Sequence, residues 1–84
     1  MKVDLFTAVA LTRDLPAEGL CKGDVATVID FLPATQASAG EAGCVLEVFN
    51  AVGESIAVVA VPLSSIERLR PSEVLSVRPL VRAG

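Results

Sequence analysis

The stretch from Gly19 to Phe31 constrains the fold of this 84-residue chain most strongly. A polar turn, Lys22-Gly23-Asp24, precedes a run rich in valine, threonine and isoleucine. Glycine lets the backbone reverse at such a turn, and β-branched side chains suit a pleated strand. The stretch therefore predicts a tight turn followed by a strand that pairs with the segment preceding it.

The chain is short for the apolar surface that it carries. Hydrophobic residues make up 52% of the sequence, only 4% of residues are aromatic, and the mean hydropathy is +0.63. A domain of this length buries only about 60 to 65% of the surface that its unfolded chain exposes. We therefore expect self-association or a bound partner to cover part of the aliphatic surface.

Turn residues divide the chain into five short segments with the apolar patterns typical of strands. Pro33 and Pro62 end two of these segments, because proline cannot donate to a central ladder. Residues 63–66 predict a single helical turn before the last strand. The predicted strands are residues 4–12, 24–32, 44–50, 55–61 and 67–69. This order predicts an all-β fold, a small SH3-like partly open barrel in residues 1–69, with a C-terminal tail or arm in residues 70–84.

The third and fourth predicted strands indicate an apolar surface outside the barrel. Alternation in the third strand places Cys44, Leu46 and Val48 inward and leaves Val45 and Phe49 outward. Both alternating sets of the fourth strand are apolar, and a valine occupies the hairpin tip. Either another chain covers these side chains, or the loops or the tail of the same chain do so. The predicted partner-binding residues are Val45, Phe49, Val52, Val59 and Val61.

Several short motifs follow one another at defined spacings along the chain. They are Ala8-Val9-Ala10-Leu11, Asp14-Leu15-Pro16, Gly19-Leu20, Gly23-Asp24-Val25, Thr27-Val28, Leu46-Glu47-Val48, Gly53, Ile56-Ala57 and Pro62. In this order they resemble the pattern of the small bacterial proteins grouped as Domain of Unknown Function 4926, over about residues 4–69. The chain departs from that pattern at Ala26, Val48 and Val52, where the family favours glycine, phenylalanine and a polar turn residue. The resemblance implies an SH3-like barrel and brings no activity.

A second, local resemblance concerns the turn itself. Residues 23–28 are similar to the glycine-valine turn of the KOW motif of ribosomal and transcription-elongation proteins, which implies an RNA- or ribosome-associated alternative. The net charge is −3, although residues 68–84 contain four arginines and one glutamate. RNA recognition favours clustered cations and aromatic stacking platforms, and the sequence has neither tryptophan nor tyrosine. We therefore expect protein binding rather than nucleic-acid binding.

The reactive side chains form no catalytic pattern in the sequence. Histidine is absent, so Ser64 and Ser65 lack the usual activating base, and two cysteines are too few for a zinc site. Asp14, Glu18 and Asp24 would supply oxygen ligands for a hard cation if their loops converged, but separated loop carboxylates are usually solvated. We expect a protein that is not an enzyme and that uses no metal, cofactor or small-molecule substrate.

The sequence predicts neither a membrane span nor a secretion signal. The longest uncharged stretch of the candidate strands, residues 55–66, contains Pro62 and is far shorter than the roughly 20 residues of a spanning helix. Asp4 interrupts the start of the chain, where a secretion signal would be apolar. We expect a cytoplasmic protein in which Cys21, in a loop, and Cys44, in the core, stay reduced.

Together these patterns favour a non-catalytic protein-protein interaction module. We expect it to form a homodimer and to act as an accessory or inhibitory partner of another bacterial protein, by analogy with other SH3-like barrels. The KOW-like RNA-binding function remains the alternative.

Overall fold

The computed structural model describes residues 3–80. Residues 1, 2 and 81–84, which include Arg82 of the predicted basic tail, lie outside the described part. Five strands and two 3-10 helices follow in order: β1 (Ala8–Leu11), a 3-10 helix (Pro16–Glu18), β2 (Val25–Leu32), β3 (Gly43–Phe49), β4 (Ser55–Pro62), a 3-10 helix (Leu63–Ser65) and β5 (Ile66–Arg68). The predicted strands and the helical turn before the last strand are confirmed to within a few residues.

All five strands belong to one antiparallel sheet with the order β4-β3-β2-β1-β5. The strand after the Lys22-Gly23-Asp24 turn pairs with β1, as predicted. In the described part of the chain β4 and β5 are the two edges of the sheet, so the barrel is not closed. The prediction of an all-β, SH3-like, partly open barrel is confirmed.

The core lies on one face of the sheet and is almost entirely aliphatic. Cys44, Leu46 and Val48 of β3 are all buried there, which confirms the predicted inward set. Each pairs across the ladder with a residue of β4 on the same face, because directly opposite residues in an antiparallel pair share a side. The buried apolar cluster comprises Val9, Leu11, Leu20, Ala26, Val28, Cys44, Leu46, Val48, Val59, Val61 and Ile66.

The first strand is shorter than the predicted segment of residues 4–12. Leu5 and Phe6 form a turn, and Phe6 has a positive φ of 61°. The N–H group of Phe6 donates to the carbonyl oxygen of Val28 at 2.6 Å, and Val28 N–H donates to Thr7 at 3.0 Å. These two bonds hold the turn against β2, so regular pairing begins only at Ala8.

The segment between β1 and β2 contains a helical turn that the sequence pattern does not predict. Pro16 occupies the start of the 3-10 helix, where its fixed φ is favourable and its missing N–H costs nothing. Gly19 ends the helix with a φ of 69°, and its N–H group donates to the carbonyl oxygen of Pro16 at 3.1 Å. This left-handed conformation at the end of a helix is one that glycine adopts readily.

Across residues 3–80, no helix has the length and apolar character needed to cross a membrane.

Candidate protein-interaction surface

The β3–β4 hairpin presents an apolar residue at a hydrogen-bonded tip. Asn50 organises the turn: its N–H donates to the Glu54 carbonyl at 2.8 Å, and its Oδ1 accepts the N–H groups of Val52 and Glu54 at 3.1 and 2.9 Å. These bonds satisfy the N–H groups of Val52 and Glu54 within the turn, as is typical of an asparagine that organises a turn. The side chain of Val52 is left 80% exposed.

The other outward residues of the hairpin flank this tip. Phe49, the last residue of β3, is 41% exposed, and Ile56 at the start of β4 is exposed to the same degree. Val45, towards the other end of β3, is half-buried. Phe49, Val52 and Ile56 thus lie together at one end of the sheet, and Val45 stands apart from them.

Two predicted partner-binding residues have their side chains in the core instead. Val59 and Val61 are each only 6% exposed. They pair with Leu46 and Cys44 and share their inward face, so their side chains are not available to a partner in this structure. The outward face of β4 carries the other apolar set, Ile56, Val58 and Ala60.

Residues 70–80, here called the arm, return from β5 across the outer face of the sheet. A turn begins the arm: Glu73 N–H donates to the Arg70 carbonyl at 3.0 Å, and Arg70 N–H donates to the Glu73 carboxylate. Beyond this turn the arm has no regular secondary structure. Val74 and Val77 are 93% and 90% exposed, and Leu75 and Leu80 are also exposed.

A partly buried ion pair between Arg78 and Asp24 anchors the far end of the arm. The Arg78 guanidinium donates through Nε to Asp24 Oδ1 at 2.8 Å and through Nη2 to Asp24 Oδ2, and Nη2 also approaches the Gly19 carbonyl at 3.4 Å. The hydrogen bond from Arg78 holds the pKa of Asp24 below its usual value despite partial burial. A further bond from Cys21 N–H at 2.8 Å acts in the same direction. The two-pronged geometry is typical of strong arginine–carboxylate contacts.

The arm, the hairpin and the sheet line an open groove of about 850 Å³. Thr27 and Val25 of β2 and Ala10 of β1 form part of its floor, and Ala10 is buried there although it lies outside the core cluster. The hairpin residues Phe49, Val52 and Ile56 form one wall, and the arm residues Val74, Leu75 and Val77 form the other. The groove is therefore mainly apolar, with both walls carrying exposed aliphatic or aromatic groups.

Two of the three carboxylates that would supply ligands for a cation, Asp14 and Asp24, accept hydrogen bonds from protein donors. Asp14 accepts the N–H of Lys22 at 2.8 Å, and Asp24 binds Arg78 and Cys21. Among residues 3–80 no three potential metal-ligating side chains form a group. Cys44 lies in the core, where burial raises the pKa of its thiol, and both cysteines are free.

The family comparison covers the whole sheet. The family model described as a domain of unknown function, DUF4926, matches residues 5–68. The chain belongs to the DUF4926 family. The match to DUF4926 ends at Arg68, the last residue of β5, so the arm and its anchoring Arg78 follow the matched region. No curated protein and no solved structure matches the chain.

Proposed function

We propose that this DUF4926 protein is a non-catalytic protein-protein interaction module that forms a homodimer in the cytoplasm. The observation that carries the proposal is the groove between the hairpin and the arm, because both of its walls expose apolar side chains. An exposed aliphatic patch of this kind marks a contact site in soluble proteins.

The arm supplies the strongest part of this argument. Val74 and Val77 are almost fully exposed, yet the arm is held in place by the Arg78–Asp24 contact rather than by their own packing. Burying one valine side chain contributes roughly 1.5 to 3 kcal/mol. A second chain that covers the arm and the hairpin would gain this contribution from several side chains at once.

A second copy of the chain is the occupant that we propose first. Each copy brings the same apolar walls, so a twofold contact matches one apolar surface with another, as in most homodimers. The accessory or inhibitory role towards another bacterial protein is a further part of the proposal, and it rests on the analogy with other SH3-like barrels.

The charge distribution favours this proposal over the KOW-like alternative. Of the basic groups in the tail, Arg78 is paired with Asp24, and Arg70 lies 3.8 Å from the Glu67 carboxylate. An RNA-binding arm would direct such groups at phosphates, and its affinity would fall steeply as salt is added. Titration with single-stranded RNA at two salt concentrations tests the alternative, and tight, salt-sensitive binding would favour it.

Two phenylalanines provide a matched test of the proposed surface. Phe49 and Phe31 are 41% and 39% exposed, but Phe31 lies opposite Cys44, at the other end of β3. We expect Phe49→Asp to shift the protein towards the monomer in sedimentation equilibrium and Phe31→Asp to leave the dimer intact. Equal masses for the two variants and the wild type would contradict the assignment of the surface.

A further inference from the structure

Within residues 3–80, one edge of strand β4 has no paired strand, and the ladder with β3 shows which of its backbone N–H and C=O groups point outward. Leu63 N–H donates to the Ala42 carbonyl at 3.1 Å, which makes this pair a hydrogen-bonded one. The register continues without a shift from Gly43 to Val48, and hydrogen-bonded pairs alternate along an antiparallel ladder. The residues that bond to β3 are therefore Ala57, Val59 and Val61. Val58 and Ala60 direct their N–H and C=O groups away from the sheet, and Ile56 is the extra residue of β4 at the register shift between Val48 and Phe49.

From Ala57 to Val61 this edge has few of the features that usually prevent strands from pairing, and a register shift against β3 occurs at Ile56. No charged residue occurs between Glu54 and Glu67, and the only proline of β4 is its last residue, Pro62. Natural edges are commonly protected by lysine, by a central proline or by a bulge. The outer face of the edge is also apolar, with Val58 59% exposed. β4 is thus suited to backbone pairing with an uncharged strand.

We propose that β4 pairs antiparallel with β4 of a second copy, with Val58 on the twofold axis. This inference deepens the proposed function and rests on its homodimer. In this register Val58 pairs with Val58 of the partner subunit, and Ile56 pairs with Ala60 of the partner subunit. The two Val58 residues then exchange hydrogen bonds through their outward N–H and C=O groups, and the outward groups of Ala60 face Ile56 of the partner subunit.

The ends of the strand exclude neighbouring registers. A shift towards the C-terminal end brings Pro62, which has no N–H group, opposite an edge carbonyl. A shift towards the N-terminal end brings Glu54, whose N–H and C=O groups are already bonded to Asn50. The register centred on Val58 is therefore the one that places neither Pro62 nor Glu54 opposite Ile56, Val58 or Ala60.

The same register also matches side chains and charge. The two Val58 side chains are directly opposite on the exposed face, and each Ile56 meets an alanine that leaves room for it. The paired segments are uncharged, so two copies bring no like charges together. The pair also lies next to the groove, because Ile56 belongs to both.

Cysteine cross-linking tests the register directly. In a Cys21→Ser background, Val58→Cys alone is expected to form a disulfide-linked dimer under mild oxidation, because opposite Cα atoms in a hydrogen-bonded pair lie about 5.5 Å apart. Ile56→Cys and Ala60→Cys are each expected to stay monomeric on a non-reducing gel and to cross-link when the two proteins are mixed. Ala37→Cys, in the exposed loop before β3, is the control and should not cross-link.

A charge placed on the axis provides the second measurement. Val58→Lys brings two lysines together, and we expect it to weaken the dimer at least about tenfold in sedimentation, with Ala37→Lys as the charge-matched control. A circular dichroism spectrum identical to that of the wild type shows that the variant folds. A dimeric wild type with no Val58→Cys cross-link and an unaffected Val58→Lys variant would overturn the edge pairing and leave the homodimer standing. A monomeric wild type would overturn both.

Discussion

Arg78 and Asp24 lie 54 positions apart in the sequence, and their side chains form a two-pronged ion pair that fixes the arm to the start of β2. The exposed valines of the arm make few contacts that would hold it there. The position of one groove wall therefore depends mainly on this one pair.

Removing the charge of Asp24 tests that dependence. In Asp24→Asn the amide oxygen still accepts the Cys21 N–H, but the charged hydrogen bonds to Arg78 are lost. We expect elastase, which cleaves after small aliphatic residues, to cut the arm at Val74 or Val77 about tenfold faster, because hydrogen bonds to charged groups are the stronger class. Asp30→Asn, at an exposed acidic position within β2, should leave the cleavage rate unchanged, and equal rates in the two variants would contradict the anchor.

The same pair predicts a pH dependence. Because Arg78 lowers the pKa of Asp24 in the folded protein, the carboxylate takes up a proton more readily in the unfolded chain. Its contribution to the unfolding free energy is fully present above the unfolded pKa of about 4 and is lost as the pH falls through the lower, folded value. The difference in unfolding free energy between wild type and Asp24→Asn should therefore be constant from about pH 5 to 8 and shrink in acid. A difference that persists unchanged to about pH 2 would exclude Asp24 as the titrating group.

Much of the barrel could be predicted because its signals are local. The turn before β2, the alternation in β3 and the helical turn after Pro62 each depend on neighbouring residues, and each was confirmed. The sequence alone does not predict which residues of β4 face inward, because both alternating sets are apolar. The pairing of β4 with β3 shows which set faces inward. Val59 lies opposite the inward Leu46, and this cross-strand pair identifies Val59 as a core residue.

The arm's placement had no comparable signal. Arg78 and Asp24 are far apart in sequence, and nothing near either residue indicates the other. The charge excess of the tail suggested a nucleic-acid contact as readily as an internal ion pair. The sequence also does not predict the turn at Phe6, because the hydrogen bond that holds it reaches Val28 on another strand. The apolar pattern of the segment alone indicates an extended strand.

The β3–β4 ladder leaves no room for a side chain at Gly43. A Cβ atom at this position would lie 2.8 Å from the carbonyl oxygen of Val61, a backbone atom that cannot move without disturbing the ladder. We expect Gly43→Ala to lower the unfolding free energy by about 1 to 3 kcal/mol in urea denaturation. Gly43→Val should cost more, because its added methyl groups extend the same overlap. Wild-type stability in Gly43→Ala would show that the strands can separate locally without penalty.

At Ser65 we expect a substitution by alanine not to destabilise the protein. Its side chain is fully buried, and its Oγ has no hydrogen-bond partner among the residues that the structure describes. Burying an unsatisfied hydroxyl is unfavourable, whereas the backbone oxygen that accepts the Thr12 N–H does not depend on the side chain. We expect Ser65→Ala to leave the unfolding free energy unchanged or to raise it by up to about 1 kcal/mol. Thermal denaturation of the variant and the wild type measures this difference. A loss of more than about 1 kcal/mol would indicate that the hydroxyl is satisfied in solution.

The central claim is that a second copy covers the apolar surface that one copy leaves exposed. Sedimentation equilibrium of the wild-type protein, from low to high micromolar concentration, measures this most directly. We predict a mass that approaches twice the 8.7 kDa of the single chain as the concentration rises. A constant mass of 8.7 kDa across the whole range would contradict the claim.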